Sequence, residues 1–192
     1  MPALQFPDPC LTDGVVTLRP WRESELPERF AAFSDPVCLR FSWPLTEKPT
    51  LAHVSDRFYA QERARRDGEE LPLAIVDGEN HLLGGCSLYD FTPSEARVSV
   101  GYWVAAHARG RGVATRTTRL LATWAFERLG VARLELVCEP ANIGSQHVAE
   151  RCGFVREGML RSHIPFQGGR RDSVIFSLLP GELLTSTALE VP

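Results

Sequence analysis

The sequence predicts a mixed α/β fold, in which helices flank a single sheet, and three observations lead to this prediction. Short apolar runs alternate along the chain with segments of helical periodicity. Two of those runs flank the pair Asp77-Gly78, which is typical of an antiparallel hairpin. Further along, a long amphipathic segment lies between two strand-like runs, as in a βαβ unit. The 192 residues, 44% of them hydrophobic, suffice for one core.

The first third of the chain is predicted to contain one strand and two helices. The apolar pattern from Val15 to Leu18 indicates the strand. A helix opens at Ser24 and ends before Asp35, and a second begins after its cap Thr50 and stops at Gly68. The residues predicted to face inward on the two helices are Leu26, Phe30, Phe33, Leu51, Val54 and Phe58.

The rest of the chain is predicted to contain further strands and two helices. The helix from Gly112 to Leu129 is the most regular, because Leu121 and other apolar residues share one face and Arg116 lies on the other. A short helix begins near Asn142 and ends at Gly153. Strands are predicted at Leu71 to Val76, His81 to Tyr89, Arg97 to Ala106, Arg133 to Cys138, Phe154 to Leu160 and Asp172 to Leu179. We interpret residues 1–180 as one domain and 181–192 as a C-terminal tail.

Composition predicts a soluble, cytoplasmic protein without a membrane partner. The five cysteines are odd in number and form no C-x-x-C pair, which argues against a disulfide framework. The N-terminus lacks the features of a signal peptide, and no run approaches the ~20 apolar residues of a membrane span. The five histidines show no metal-ligand spacing, so we expect no metal.

The charge distribution indicates an anionic ligand at one place in the molecule. The net charge is −3, yet between Arg109 and Arg133 six arginines face a single acid, Glu127, which gives a local charge of +5. A basic segment confined in this way favours a small anionic ligand over a general nucleic-acid surface.

A glycine-rich loop within this basic segment is the candidate phosphate site. A strand leads into Arg109, Gly110, Arg111, Gly112, Val113 and Ala114, and the loop then becomes the start of the long helix. Helix N-termini bind phosphate because their first amides are unpaired and carry partial positive charge. The loop lacks the lysine of a P-loop and does not complete G-x-G-x-x-G.

The loop resembles the pyrophosphate loop of the GCN5-related N-acetyltransferases (GNAT), whose pattern falls here on Arg109, Gly112 and Ala114. The chain is similar to the RimJ and RimL branch, the ribosomal-protein acetyltransferases. Further motifs that carry the resemblance are GYW at Gly101 to Trp103, N-x-x-S at Asn142 to Ser145, Trp43-Pro44, and the closing run RDSVIFSLL. The resemblance implies the GNAT fold, a mostly antiparallel twisted sheet with one splayed parallel pair of strands.

The same resemblance implies that acetyl-CoA is the cosubstrate and lies between the splayed strands. Its pantetheine arm would pair with the backbone of Trp103, Val104 and Ala105, and Asn142 would bind near the pantetheine or the thioester. Its pyrophosphate would bind the amides of Arg109, Gly110, Arg111, Gly112, Val113, Ala114 and Thr115, where Thr115 can add a hydroxyl. Many relatives are dimers, so a homodimer is also implied.

Ser145 is the candidate general acid for the departing thiolate, although Asn142 and Ser145 also fit a local helix cap. The resemblance does not identify the general base, because Ser99 stands where many relatives have glutamate. The remaining candidates for the base are Asp90, Glu139, His163 or water.

The missing base bears on the acceptor. At pH 7, deprotonating an α-amine of pKa about 7.8 costs about 1 kcal/mol, against about 4.6 kcal/mol for lysine. We therefore expect a protein N-terminal amine as the acceptor. The alternative acceptor is a small-molecule amine, such as an antibiotic, a polyamine or an amino acid. An alternative function is that of a non-catalytic acyl-CoA-binding protein, and a plain nucleotide-binding module is a weaker alternative.

Overall fold

The computed structural model describes residues 3–185, which form an eight-stranded sheet with helices on both faces. The order across the sheet is β1-β2-β3-β4-β5-β6-β8-β7. The strands are β1 (Leu11–Thr12), β2 (Thr17–Arg19), β3 (Glu70–Val76), β4 (Leu82–Thr92), β5 (Arg97–Val104), β6 (Arg133–Cys138), β7 (Val155–Phe166) and β8 (Gly169–Leu178).

Every neighbouring pair of strands is antiparallel except β5 and β6. This parallel pair is short, because it starts at Arg97 opposite Arg133 and ends at Ser99 opposite Glu135. Both strands continue beyond it, β5 to Val104 and β6 to Cys138. The predicted mixed α/β fold, with a mostly antiparallel sheet and one splayed parallel pair, is confirmed.

The helices form two layers, one on each face of the sheet. On one face, α1 (Leu26–Phe33) and α3 (Leu51–Arg66) pack against β4 and β3, and α2 (Pro36–Ser42) contacts β5. Opposite them, α4 (Val113–Leu129) packs against β4 and β5, and α5 (Ile143–Cys152) packs against β6 and α4. No helix among residues 3–185 is long and apolar enough to cross a membrane.

Alternation along the strands divides the core between the two layers. On β3, Leu73 belongs to the main cluster with α4 and α5, whereas Ala74 belongs to a smaller cluster with Trp21 on the α1 side. On β5, Tyr102 likewise packs with the main cluster and Trp103 with the smaller one. Consecutive residues of β5 therefore line opposite faces near the splay.

Several predicted elements have different limits in the structure. The strand predicted from Val15 to Leu18 corresponds to β2, Thr17–Arg19, and Val15 lies outside it and is exposed. The strand β1 and the helix α2 are both absent from the predicted elements. The strands β7 and β8 are longer than predicted and form a hairpin that ends near Phe166. Leu51 was predicted to face inward, which is wrong, because it is 45% exposed.

The tail predicted for residues 181–192 begins in contact with the domain. The Leu184 amide donates to the Cys152 carbonyl oxygen at 3.1 Å, and Leu183 packs against the core. The remaining tail residues, 186–192, lie outside the described part of the chain. The boundary at residue 180 stays a prediction.

Candidate active site

The two parallel strands separate just beyond Ser99, and this separation opens a cleft. From Val100 to Val104, β5 pairs with β4 on one side, while its pairing with β6 on the other side has ended. The backbone edge of β5 that faces β6 is therefore without a partner strand. An unpaired edge of this kind can accept another extended chain with peptide-like groups.

The cleft has a volume of about 360 Å³ and is bounded by three elements besides β5. The helix α2 contributes one wall, the start of α4 a second, and the start of α5 a third. Of the residues predicted to bind the cofactor, the cleft lining contains Trp103, Val104, Arg109, Gly110, Gly112, Val113, Ala114, Thr115 and Asn142. Ser145 also lines it.

The loop before α4 presents a run of unpaired amides to this cleft. Within residues 3–185, the amides from Gly110 to Thr115 have no hydrogen-bond acceptor, and α4 has no side-chain N-cap. The first amide with an acceptor is that of Arg116, which donates to the Gly112 carbonyl at 3.0 Å. Six adjacent donors at the positive end of a 17-residue helix fit a diphosphate group.

Glycine is required at Gly110 and Gly112 by backbone conformation. Both residues have positive φ angles, +71° and +76°, which L side chains rarely adopt. A Cβ at Gly110 would meet no atom within 4 Å, so the space above the loop is open. The glycines therefore aim the amides outward and keep the approach to them clear.

The side chain of Arg109 does not point to the phosphate loop. Its guanidinium donates to the Asp35 carboxylate at 2.5 Å and to the Val104 carbonyl at 3.1 Å. This contact holds the pKa of Asp35 below its ordinary value. The Arg109 amide lies 3.4 Å from the Ala106 carbonyl. Arg109 thus connects the loop to the start of α2, and its guanidinium is already paired with a carboxylate instead of being available to a ligand.

Two predicted cofactor-binding residues do not reach the cleft. Ala105 is 1% exposed, and its amide donates to the Leu83 carbonyl at 2.8 Å. Arg111 lines a neighbouring groove along α4, which shares Gly112 and Thr115 with the cleft, while its amide belongs to the unpaired run. For Ala105, the contact with Leu83 removes the donor that pairing with pantetheine would use.

Ser145 lies at the start of α5, where Asn142 is the N-cap. The Asn142 side chain accepts from the Ser145 amide at 3.2 Å, so the cap predicted from N-x-x-S is present. The cap uses the backbone of Ser145 and leaves its hydroxyl free. That hydroxyl instead lies 3.0 Å from the Tyr102 hydroxyl on β5. Ser145 is therefore both a cap residue and a polar group of the cleft.

Tyr102 was not predicted as a site residue. Burial raises its pKa well above the ordinary value, although the Ser145 hydroxyl opposes this shift. The phenol therefore stays protonated at neutral pH and can donate to Ser145. Burial also raises the pKa of the nearby Cys138 thiol, which keeps it neutral.

The wall formed by α2 and the exposed His147 also escaped prediction. Val37, Cys38 and Phe41 line the cleft from α2, and His147 lines it from α5. The sequence does signal α2, since Asp35 precedes Pro36, and this pair is typical of a helix start. Asp35 indeed caps α2, accepting from the amides of Val37 and Cys38.

The three base candidates lie in different places. Asp90 is at the far end of β4, beside the residue that pairs with Ser99, and is exposed. His163 is exposed on β7. Glu139 follows β6 directly, close to the cleft, but its carboxylate is paired with Arg171 at 2.6 Å. None of the residues that line the cleft is an aspartate or glutamate.

Comparisons with known proteins agree with this geometry. A family model described as "Acetyltransferase (GNAT) domain" matches residues 16–155. The chain is 35% identical over 124 residues to "Putative ribosomal N-acetyltransferase YdaF" of Bacillus subtilis, covering 65% of this chain and 66% of YdaF. It is 29% identical over 120 residues to YjcK of the same organism, again covering 66% of the relative. The matches thus span slightly under two thirds of these relatives.

Solved structures share the fold. Mycobacterium smegmatis RimJ, solved in complex with CoA-disulfide, has a TM-score of 0.80 at 24% identity, covering 92% of this chain and 88% of RimJ. RimL, an alpha-N-protein acetyltransferase in complex with coenzyme A, has a TM-score of 0.77 at 19% identity, covering 88% of this chain and 96% of RimL. The family match, which extends over most of the described residues, places this chain in the GNAT family of N-acetyltransferases.

Proposed function

We propose that this protein transfers the acetyl group of acetyl-CoA to a protein N-terminal α-amine. The observation that carries the proposal is the run of unpaired amides from Gly110 to Thr115, located where β5 and β6 separate. A diphosphate donor and an extended pantetheine arm match these two features together. A plain nucleotide ligand would use the loop and leave the open edge of β5 empty.

Different residues would bind different parts of the cosubstrate. The amides from Gly110 to Thr115 would hold the pyrophosphate, the edge of β5 at Trp103 and Val104 would pair with the pantetheine arm, and Asn142 would lie near its end. Acetyl-CoA supplies the acetyl group as an activated thioester. The side chain of Arg111, which lines the groove beside the loop, would add long-range attraction for its phosphates.

Ser145 is proposed as the donor of a proton to the leaving sulfur. As the amine nitrogen bonds to the acetyl carbon, the carbon–sulfur bond breaks and the thiolate needs a proton. Ser145 is positioned for this step because the Tyr102 hydroxyl, 3.0 Å away, orients its hydroxyl. The proton that the amine nitrogen loses on acylation then restores the one that Ser145 donates. A thiolate with a solution pKa of about 8.5 is a fair leaving group, so this assistance is moderate.

The lining of the cleft supports an acceptor of low basicity. It contains no carboxylate, and Glu139 is occupied by Arg171. An α-amine needs little assistance to lose its proton at neutral pH, whereas a lysine amine needs a strong base. A protein N-terminus has an amine of this low basicity. The test below also includes small amines of similar basicity as the second candidate class of acceptor.

The experiment is a thiol-release assay with acetyl-CoA and three acceptor sets. These are peptides with a free N-terminus and no lysine, N-acetylated peptides with one internal lysine, and small amines. We expect release with the first set at a rate at least tenfold above the second. Faster acetylation of lysine, or tight CoA binding without release for any acceptor, would overturn the proposal.

The homodimer and the cytoplasmic location remain predictions. Sedimentation velocity on the purified protein measures the first. The described cysteines are all free, and Cys10 is exposed while the other four are buried, which suits a reducing compartment.

A further inference from the structure

Beside the cleft, two arginines share one carboxylate. Arg171 on β8 places Nη1 2.6 Å from Oε2 of Glu139, and Arg40 on α2 places Nη2 4.0 Å from Oε1 of the same residue. Arg171 also donates from Nη2 to the Arg40 carbonyl at 2.8 Å. The cluster thus joins α2, the end of β6 and β8. Its three residues do not line the cleft themselves, but α2 also forms one wall of it.

The cluster carries an excess of positive charge. Two guanidinium groups and one carboxylate leave a net charge of +1 in a partly buried place. Burial lowers the pKa of Arg171, and although Glu139 opposes this shift, the neighbouring Arg40 adds to it. Two like charges held this close favour binding of a further anion.

Within the described part of the chain, the Glu139 carboxylate leaves hydrogen-bond donors of Arg40 and Arg171 without acceptors. Oε2 of Glu139 is buried and, despite its closeness to Arg171, has no well-aligned hydrogen bond. The Arg40 side chain is 61% exposed, and its guanidinium makes no hydrogen bond to any group within residues 3–185. The tie between Arg171 and the Arg40 carbonyl explains why Arg171 is held in place, but it leaves the Arg40 donors unused.

The position of the cluster relates it to the acceptor. Arg40 adjoins Phe41, which lines the cleft, and Glu139 lies three residues before the cap Asn142. The phosphate loop contacts the N-terminal end of α2, where Asp35 binds Arg109, whereas Arg40 lies in the last turn of that helix. An acceptor that enters past this end of α2 would pass Arg40 and Arg171 before its amine reaches the thioester.

We infer that Arg40 and Arg171 bind a carboxylate of the acceptor close to its reactive amine, so that acidic acceptors are preferred. This inference rests on the proposed acetyl transfer and adds the acceptor class to it. The carboxylate belongs either to an acidic side chain near a peptide N-terminus or to a free amino acid. Both sources offer the same group to the same two guanidinium donors.

The test compares matched acceptors in the thiol-release assay with full-length enzyme. One pair of peptides begins Ala-Asp or Ala-Asn, and a second pair is alanine and alaninamide. Each rate is referred to the deprotonated fraction of the amine, because the amine of alanine is the more basic of the second pair. We expect kcat/KM about tenfold higher for the acidic member of at least one pair, as suits a partly exposed charge-assisted contact. A preference within the peptide pair identifies a protein end, and one within the second pair identifies an amino acid.

Three variants complete the test. Arg40→Gln should abolish the preference, and Arg161→Gln, an exposed arginine on β7 outside the cluster, should retain it. Glu139→Gln should increase the preference, because it removes the competing carboxylate. Equal rates within both pairs, or an unchanged preference in Arg40→Gln, would overturn the inference while leaving acetyl transfer intact. Absence of release with every acceptor would overturn both.

Discussion

The pairing of Tyr102 with Ser145 fixes the hydroxyl that we propose as the proton donor to the leaving sulfur. A serine hydroxyl rotates freely unless a neighbour fixes it. Here the buried phenol lies 3.0 Å away and, because burial raises its pKa, keeps its proton to donate. The backbone of Ser145 is held independently by Asn142. Both the position and the orientation of the hydroxyl are therefore determined.

Replacing Tyr102 with Phe should lower kcat about tenfold, equivalent to ~1.4 kcal/mol, and leave KM for acetyl-CoA unchanged. The variant loses only the hydroxyl that orients Ser145. Ser145→Ala should lower kcat at least as much, and the double variant should be no slower than Ser145→Ala, because the two groups act together. Steady-state thiol release measures all three.

Tyr59→Phe is the control, since Tyr59 is an exposed residue of α3 whose hydroxyl contacts Glu23, in the turn before α1. Its kcat should match that of the unchanged protein. Additive losses in the Tyr102 and Ser145 double variant would contradict a shared role.

Which site residues are predictable from the sequence depends on the separation of their partners. Asn142 and Ser145 form a local cap, so their spacing indicates it. Tyr102 and Ser145 are 43 residues apart, and no local pattern joins them. Arg109 fits the phosphate-loop pattern, yet its guanidinium is bound by Asp35, 74 residues away. The unpaired amides of the loop were therefore predictable from the sequence, whereas the partners of its side chains required the fold.

At the scale of elements, the start of α4 should respond to charge more than to shape. In Gly112→Asp, a carboxylate is placed beside the unpaired amides, and we expect KM for acetyl-CoA to rise at least tenfold. Asn has nearly the same shape and tolerates positive φ, so Gly112→Asn should raise KM far less. The ratio of the two KM values isolates the effect of charge.

Equal KM values for the two Gly112 variants would place the pyrophosphate elsewhere. Thermal unfolding of both variants is the control, because both carry a side chain at a φ of +76° and should be destabilised alike.

The helix α2 depends on Asp35 in two ways, which can be separated. Asp35→Asn keeps an N-cap but loses the ion pair with Arg109, so we expect KM for acetyl-CoA to rise up to about fivefold. Asp35→Ala also loses the cap, and its free energy of unfolding should fall by a further ~1 kcal/mol. Kinetics and urea unfolding measure these effects. An unchanged KM in Asp35→Asn would show that the ion pair does not support the loop.

Elements with one buried face were predicted well, and exposed ones were not. β6 was predicted with its observed bounds because its apolar run is buried. The hairpin at Asp77 was also found, although its turn extends to His81. β7 is the outer strand and is exposed along most of its length, so its sequence lacks alternation that would reveal its full extent. For α2, Pro36 indicated the end of α1 and concealed a new start.

For the whole molecule, the sheet is joined tightly at one end of the β5–β6 pair and open at the other. Glu135 accepts from Arg97 at 2.9 Å and from Arg133 at 2.8 Å, which joins β5 to β6. Arg133 also donates to Glu157 on β7, and Ser177 on β8 donates to Glu157 at 2.6 Å. This network spans four strands beside the three paired residues of β5 and β6, and the cleft opens beyond them.

The network predicts how stability depends on acid. The hydrogen bond from Arg133, followed by that from Ser177, lowers the pKa of Glu157 from 4.5 to about 2. A carboxyl whose pKa falls on folding stabilises the protein fully above its unfolded pKa, and this contribution is lost as pH falls from 4.5 toward 2. Glu157→Gln should therefore lower the free energy of unfolding at pH 7 by under ~1 kcal/mol, as suits a partly exposed pair.

Urea unfolding from pH 7 to pH 2.5 measures this effect. The difference in free energy of unfolding between Glu157→Gln and the unchanged protein should shrink as the pH falls. Glu127→Gln, an exposed acid on α4, should show no such difference. A difference for Glu157→Gln that is constant with pH would contradict a contribution from the charged carboxylate.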